Sequence, residues 1–312
     1  MPLISVCLAT YNGERFLAEQ LQSICDQTFS DFELVVSDDG SIDRTATILE
    51  TFAARDPRIR ILPAQERLGF QKNFERAIAA GTGRYIAPSD QDDIWLPEKL
   101  ELSLRYLRDR NVAMVYCDSA FIDGSGNRLG GTLLDSIRHF EGTDPLMFAF
   151  INCASGHAML FDRAILAHAL PFPEKPVYDW YLAAIAAAAG GVAVLKVGLV
   201  LYRQHDASVT NLILHPDARR AKGDPFAVHA DELERFGAFA AGVPGRGGAD
   251  YARLQRMWAL RAHRFVPSLA LFILRRQTVF SVRKPSSSAV RNAWRAIKMA
   301  RRVKAKRRRN AP

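Results

Sequence analysis

Residues 3–40 read LISVCLATYNGERFLAEQLQSICDQTFSDFELVVSDDG. The run LISVCLA (3–9) is apolar but for Ser5, as expected of a strand buried on both faces. ERFLAEQLQSICDQ (14–27) then sets Phe16, Leu17, Leu21, Ile24 and Cys25 on one helical face. FELVV restores the strand pattern, and SDDG closes it with a turn. Strand, helix and strand in this order form a unit that joins parallel strands through a covering helix.

The pattern continues outward. DRTATILETFAARD predicts a helix, with Ser41 or Asp43 near its start. RIRILP predicts a strand, FQKNFERAIAAGTG a helix stopped by glycine, and RYIAP a strand. PEKLELSLRYLRDR predicts a helix with Pro97 near its start, followed by the strand VAMVYCDSAFID. DGSGNRLGG reads as a turn-rich loop, and SGHAMLFDRAIL as strand then helix. YDWYLAAIAAAAGG reads as an alanine-rich helix, and VAVLKVGLVLYRQH as a long strand. The reading is an α/β fold with a Rossmann-like, mostly parallel sheet covered by helices. Ligands of such sheets bind beyond the carboxyl ends of the strands. CLATYNG, SDDG (37–40) and SDQDD (89–93) all leave strands at that end.

Composition sets the bounds. The chain has 312 residues with 48% hydrophobic and 24% charged residues, ordinary for a globular protein. No apolar run reaches membrane-spanning length, and the first residues lack a secretory leader's basic start and cleavage site. Cys7, Cys25, Cys117 and Cys153 form no close pair and read as small buried residues in a reducing compartment. The net charge of +9 is unevenly spread. Residues 251–312 hold 18 Lys or Arg and no Asp or Glu, leaving 24 basic against 33 acidic residues in 1–250. AAGVPGRGGAD (240–250) reads as a flexible boundary before this basic segment.

Asp90, Asp92 and Asp93 crowd the exit of one strand. Such a cluster either holds a hard divalent cation or is a solvated acidic turn before a helix. The strand context, the second acidic pair in SDDG and the neighbouring Trp95 favour the cation.

Together, ISVCLATYNGERFLAEQLQSICDQTFSDFELVVSDDGSIDRT and LGFQKNFERAIAAGTGRYIAPSDQDDIWLPEKL resemble the family 2 glycosyltransferases, enzymes of GT-A fold that use nucleotide-diphospho-sugars. The resemblance covers roughly residues 1–210, and SDQDDIWLPEKL, YDWYLA and LYRQHDASVTN are similar to the rhamnosyltransferase branch. It implies a GT-A domain over 1–215, with a nucleotide-binding half at about 1–118, an acceptor half at about 119–215, and a helical basic C-terminal extension over 216–312. It places Thr10, Tyr11, Asn12 and Glu14 around the nucleotide. Asp39 would accept the pyrimidine N–H, and Lys72, Asn73 and Arg203 would lie near the phosphates. Asp90 and Asp92 form the D-x-D. Asp92, Asp90 and His205 are the expected ligands of Mg²⁺ or Mn²⁺, with Asp90 also placed at the ribose. Asp179, at a helix start, is the expected general base, its plainer reading being a helix cap beside Trp180. His157 and Trp180 fall on the acceptor side.

The resemblance implies inverting transfer of a sugar, first guess L-rhamnose, from a dTDP- or UDP-sugar to a cell-surface glycan, lipid-linked in O-antigen-like polysaccharide biosynthesis. The basic segment reads as a docking element for an anionic membrane surface on the cytoplasmic face, as a solvated tail, or as a nucleic-acid binder. Interleaved Phe, Leu, Ile and Trp favour the membrane over nucleic acid. The rival reading of the whole chain is an inactive nucleotide-sugar-binding or membrane-associated scaffold. A nucleotidyltransferase would require a glycine-rich basic loop that ATYNGERF does not supply.

Overall fold

The structure, a computed structural model, describes residues 1–205, 225–277, 279 and 288–303. In chain order the first part holds β1 (Ile4–Thr10), α1 (Leu17–Cys25), β2 (Phe32–Asp38), α2 (Thr45–Ala53), β3 (Ile59–Ile61), α3 (Phe70–Ala80) and β4 (Tyr85–Ser89). Next come β5 (Ile94–Trp95), α4 (Lys99–Arg110), β6 (Met114–Ile122), β7 (Arg128–Thr132) and α5 (Leu133–Ser136). These are followed by β8 (Met159–Asp162), α6 (Leu166–Ala169), α7 (Tyr178–Ala189) and β9 (Val192–Arg203). The C-terminal part adds α8 (Pro225–Gly242), α9 (Gly245–Ala259), α10 (Pro267–Arg275) and α11 (Ala289–Met299).

Among the described residues one sheet has the order β3-β2-β1-β4-β8-β6-β9-β5, with β7 on the edge of β6. β3, β2, β1 and β4 are parallel, and β6 and β9 continue in the same direction. β5, β7 and β8 run against them. β1 is buried along its whole length, which is why its sequence is mostly apolar, with Ser5 and Thr10 hydrogen-bonded. The register sets Thr10 beside Asp38 and Leu8 beside Ser89, so the exits of β1, β2 and β4 lie together.

β5 was not visible in the sequence, yet it determines the site. Ile94 pairs with Leu201 and Trp95 with Val200. The chain leaving β4 therefore rejoins the sheet at its far edge, outside β9, and residues 90–93 link the two strands. β7 replaces part of the expected 123–131 loop. It is exposed, so it carries no apolar signal; Asp123 closes its hairpin by accepting the Ser125 and Asn127 amides.

The expected flexible boundary at 240–250 is instead a tight helix junction between α8 and α9. Its glycines permit contact rather than motion. A Cβ on Gly242 would collide with the Tyr181 hydroxyl, and one on Gly248 would lie 2.4 Å from the Val243 carbonyl oxygen. The helices share a core with the sheet domain: Phe150 meets Phe236 and Trp258, and Tyr181 stacks on Phe239. Tyr251 Oη donates to the Pro145 carbonyl at 2.6 Å. The expected division at 215/216 and the last basic residues, 304–312, lie outside the described residues.

Gly83 sits where the turn into β4 crosses β1, its amide donating to Ser5 Oγ at 2.8 Å. An added Cβ would fall 2.7 Å from the Ile4 carbonyl carbon and the Ser5 nitrogen. Gly83→Ala is expected to cost about 1–3 kcal/mol by forcing backbone apart. Gly198→Ala, facing open space, should change stability by no more than about 0.5 kcal/mol. Urea unfolding midpoints compare the two; equal midpoints would contradict the packing at Gly83.

Candidate active site

A cavity of about 1740 Å³ opens at the strand exits. It exceeds the roughly 300–1,000 Å³ of an ordinary small-molecule site, leaving space for two ligands. Thr10, Tyr11, Asn12, Asp39, Asn73, Asp90, Asp92, His157, Asp179 and His205 all line it. The expected residues Glu14, Lys72, Arg203 and Trp180 do not.

The β1 exit is a fixed loop. Asn12 is left-handed at φ 47°, with Oδ1 accepting the Ile42 amide at 3.0 Å. Thr10 Oγ1 donates to Asp38 Oδ1 at 2.8 Å, and Asn73 Nδ2 donates to the Thr10 carbonyl at 3.1 Å. Asn73 Oδ1 is buried without a hydrogen-bond partner. Asp39 accepts the Leu68 and Gly69 amides at 2.6 and 2.8 Å, which fixes its carboxylate at the cavity wall. The Arg67 guanidinium lies 4.0 Å above the Tyr11 ring, making a cationic wall that the sequence did not mark. Glu14 instead accepts the Arg44 amide at 3.1 Å, and Lys72 pairs with Glu75 at 2.9 Å on the surface.

The acidic span is held by residues distant in sequence. Asp93 is fully buried; its Oδ1 accepts the Arg203 amide at 3.0 Å and its Oδ2 has no hydrogen bond. Burial pushes its carboxyl well above the ordinary range; His157 opposes the rise, and Asp92 and Asp90 add to it. His157 Nδ1 is 3.6 Å from both Asp90 Oδ2 and Asp93 Oδ2, and Nε2 meets Ser119 Oγ at 2.9 Å. Burial alone would lower this imidazole, but Asp93 and Asp90 overcome it and raise its pKa. Asp92 Oδ2 meets His205 Nε2 at 2.9 Å. Arg203 lies beneath, donating Nε to the Asp92 carbonyl at 2.8 Å and pairing with Glu19. It props the loop rather than facing the cavity.

Gln91, between the aspartates, is a residue the sequence reading passed over. Its Oε1 accepts the Tyr11 amide at 2.9 Å and its Nε2 donates to the Tyr11 carbonyl at 3.1 Å. A Cβ on Gly13 would lie 2.5 Å from that Oε1, so glycine there admits the contact. Gln91 thus ties the acidic span to the β1 exit.

Asp179 stands in the first turn of α7. Oδ1 accepts from Asn152 Nδ2 at 2.9 Å and the Trp180 amide at 2.6 Å; Oδ2 accepts the Gly156 amide at 3.1 Å. Burial raises its pKa to about 6, opposed by these hydrogen bonds and assisted by Asp90. Asn152, twenty-seven positions away, left no local signal. Trp180 turns from the cavity: its Nε1 donates to the Phe148 carbonyl at 2.5 Å and Arg235 covers its ring at 4.5 Å.

Asp90, Asp93 and His157 are a possible metal set among the described residues, each offering an atom within 4.8 Å of the others. Oxygen donors with one imidazole suit a hard divalent cation, and the orphaned Asp93 Oδ2 fits that role. The expected set of Asp90, Asp92 and His205 is thereby divided. Asp90 joins His157, whereas Asp92 and His205 form a neighbouring pair.

Residues 5–170 match the family described as Glycosyl transferase family 2. A putative teichuronic acid biosynthesis glycosyltransferase of Bacillus subtilis, TuaG, is 32% identical over 166 residues, 52% of this chain and 63% of that protein. The Escherichia coli UDP-Glc:alpha-D-GlcNAc-diphosphoundecaprenol beta-1,3-glucosyltransferase WfgD is 26% identical over 215 residues, 67% of this chain and 80% of that protein. In fold the chain is similar to Staphylococcus aureus TarS 1-349 in complex with UDP-GlcNAc, with TM-score 0.60, 16% identity and coverage of 94% of this chain and 79% of that one. It is also similar to the Pyrobaculum calidifontis mannosyltransferase PcManGT in complex with GDP-Man and Mn²⁺, with TM-score 0.51, 17% identity and coverage of 96% and 86%.

Gln91→Ala removes both bonds to the Tyr11 backbone and is expected to cost roughly 1–2 kcal/mol. Gln91→Glu keeps the acceptor but sets an oxygen against the Tyr11 carbonyl and adds a carboxylate to the acidic span, so it should cost at least as much. Denaturant unfolding of the three proteins checks the order; an Ala variant as stable as the parent would remove Gln91 from this role.

Proposed function

The chain belongs to glycosyl transferase family 2, and from that premise we propose that it moves a sugar, with inversion, from a nucleotide-diphospho-sugar to a glycan hydroxyl. The observation that carries the reading is that Asp179 and the acidic span face one cavity from different elements. Asp39, Thr10, Tyr11 and Asn12 form the nucleotide wall. Asp39 offers acceptor oxygens to a ring N–H, which suits a uracil or thymine base. Asn73 contributes its unpartnered buried oxygen on the same side. A dTDP- or UDP-sugar is the proposed donor, with dTDP-L-rhamnose the first choice from the sequence motifs.

Asp90, Asp92, Asp93, His157 and His205 supply the donor groups for Mg²⁺ or Mn²⁺, with Asp90, Asp93 and His157 the set that lies together. A divalent cation there would neutralise the departing diphosphate. Asp179, raised to about 6, is ionised at neutral pH yet basic enough to take a hydroxyl proton. Its three donors hold the carboxylate in one orientation toward the cavity. The acceptor is proposed to be a cell-surface glycan on a lipid carrier, a reading supported by the E. coli relative's diphosphoundecaprenol acceptor. The protein would then work as a peripheral protein on the cytoplasmic side. No described helix is long and apolar enough to cross a membrane.

Asp179→Asn should retain donor binding and lose at least about 10²-fold in transfer. In the parent, kcat/KM should rise as pH passes through about 6, where Asp179 gives up its proton, and level off above it. Equal loss of donor affinity, or a flat pH profile, would remove Asp179 as base. Asp92→Asn should abolish the metal-dependent stabilisation by dTDP or UDP compounds. A saturating ligand at 100 times its Kd adds about 2.7 kcal/mol, visible in the thermal midpoint. A variant that keeps the full shift would overturn the assignment of Asp92.

A further inference from the structure

Helix α11 is divided into three stripes. Asn292, Ala296 and Ala300 point inward and are buried, the two alanines within the shared core. Val290, Trp294 and Ile297, at i, i+4 and i+7, are exposed by 78%, 59% and 42%. Arg291, Arg295 and Lys298 follow the same spacing one position later and flank the apolar stripe. Lys298 Nζ lies 5.1 Å from the Trp294 ring. A tryptophan and two aliphatic side chains aligned on an outward helix face mark an interaction surface.

We propose that the Val290–Trp294–Ile297 stripe docks α11 flat onto an anionic lipid bilayer, with the adjoining arginine and lysine stripe on lipid phosphates. The proposal rests on the reading above for its purpose, since a lipid-linked acceptor would be met at that surface. Three arguments select this occupant. The helix has eleven residues, about 16 Å, far short of the roughly 30 Å hydrocarbon core, so it lies in the plane. Residues 251–312 contain no carboxylate side chain, so nothing in that segment repels an anionic surface. A second copy of this face would set one cationic stripe against another, whereas nucleic acid would leave Val290 and Ile297 unused. Tryptophan beside lysine suits the headgroup boundary, where the ring is half in hydrocarbon and the ammonium stays in water.

The test is co-sedimentation of the full chain with vesicles of phosphatidylcholine alone and of equal parts phosphatidylcholine and phosphatidylglycerol, at low and high salt. The parent should bind the anionic vesicles, more weakly as salt rises. Trp294→Ser/Ile297→Ser should bind them at least about tenfold more weakly at the same salt. Arg291→Gln/Lys298→Gln should weaken binding and flatten its salt dependence. These side chains are exposed, so thermal midpoints should match the parent and confirm folding. Undiminished binding by the serine variant would overturn the proposal. Binding of a single-stranded RNA but of no vesicle would overturn it in favour of nucleic acid. A dimer lost in the serine variant, with no vesicle binding, would overturn it in favour of self-association. Vesicle binding needs no turnover. Absent transfer with intact vesicle binding therefore removes only the proposed activity; intact transfer to a soluble acceptor without parent vesicle binding removes only the docking face.

Discussion

The span from β4 to β9 is the constraint on which the site depends. Three aspartates occupy four positions and repel one another, yet β5 pairs with β9 and prevents their dispersal. The protein answers the repulsion unequally. Asp93 is taken out of water and anchored by the Arg203 amide, with His157 beside it. The buried Lys99, whose ammonium lies 3.4 Å over the Trp95 ring, adds positive charge beneath; burial lowers its pKa to about 8 while Asp93 supports the charged form. Asp90 and Asp92 are left at the cavity, each beside an imidazole. Asp90 and Asp92 therefore face the cavity, while the third carboxylate is held by the interior at its edge.

The same arrangement reaches Asp179. Burial does most to raise its proton affinity and Asp90 adds to it across the cavity, while two backbone amides and Asn152 hold it down. A bound cation would change that balance, since positive charge near Asp90 relieves its effect on Asp179. The two sides of the cavity are thus electrostatically linked without touching. Trp180 contributes through position alone, anchoring the first turn of α7 by its indole bond to Phe148 and its contact with Arg235.

What could be read beforehand followed from local pattern. β1, β2 and β4 carry largely apolar runs, and their acidic or polar exits named most of the cavity. Asp179 was reached through the family pattern, because a lone aspartate opening a helix has a sufficient structural reason to be there. Gln91, Ser119, Asn152 and Arg67 were not legible. Their roles are contacts between residues 27 to 80 positions apart, fixed by strand order and by the crossing of β5. Glu14, Lys72 and Arg203 show the converse: the right segments were chosen, but helix phase and burial turned these side chains elsewhere.

The charge asymmetry likewise takes its meaning from packing. Gly242 lets α8 close on Tyr181 of the sheet domain and Gly248 lets α9 close on α8, so the C-terminal helices are part of its core rather than an appended tail. Some of their cations are consumed there. Arg276 pairs with Asp144 and Asp250, and Arg235 pairs with Asp231 while donating to the Ala149 carbonyl. α11 is different, because its cations stand on a face that also exposes a tryptophan and two aliphatic residues. Ion pairing alone would favour cations without that stripe, and core packing would favour the stripe turned inward. A surface that is apolar and anionic together accounts for both.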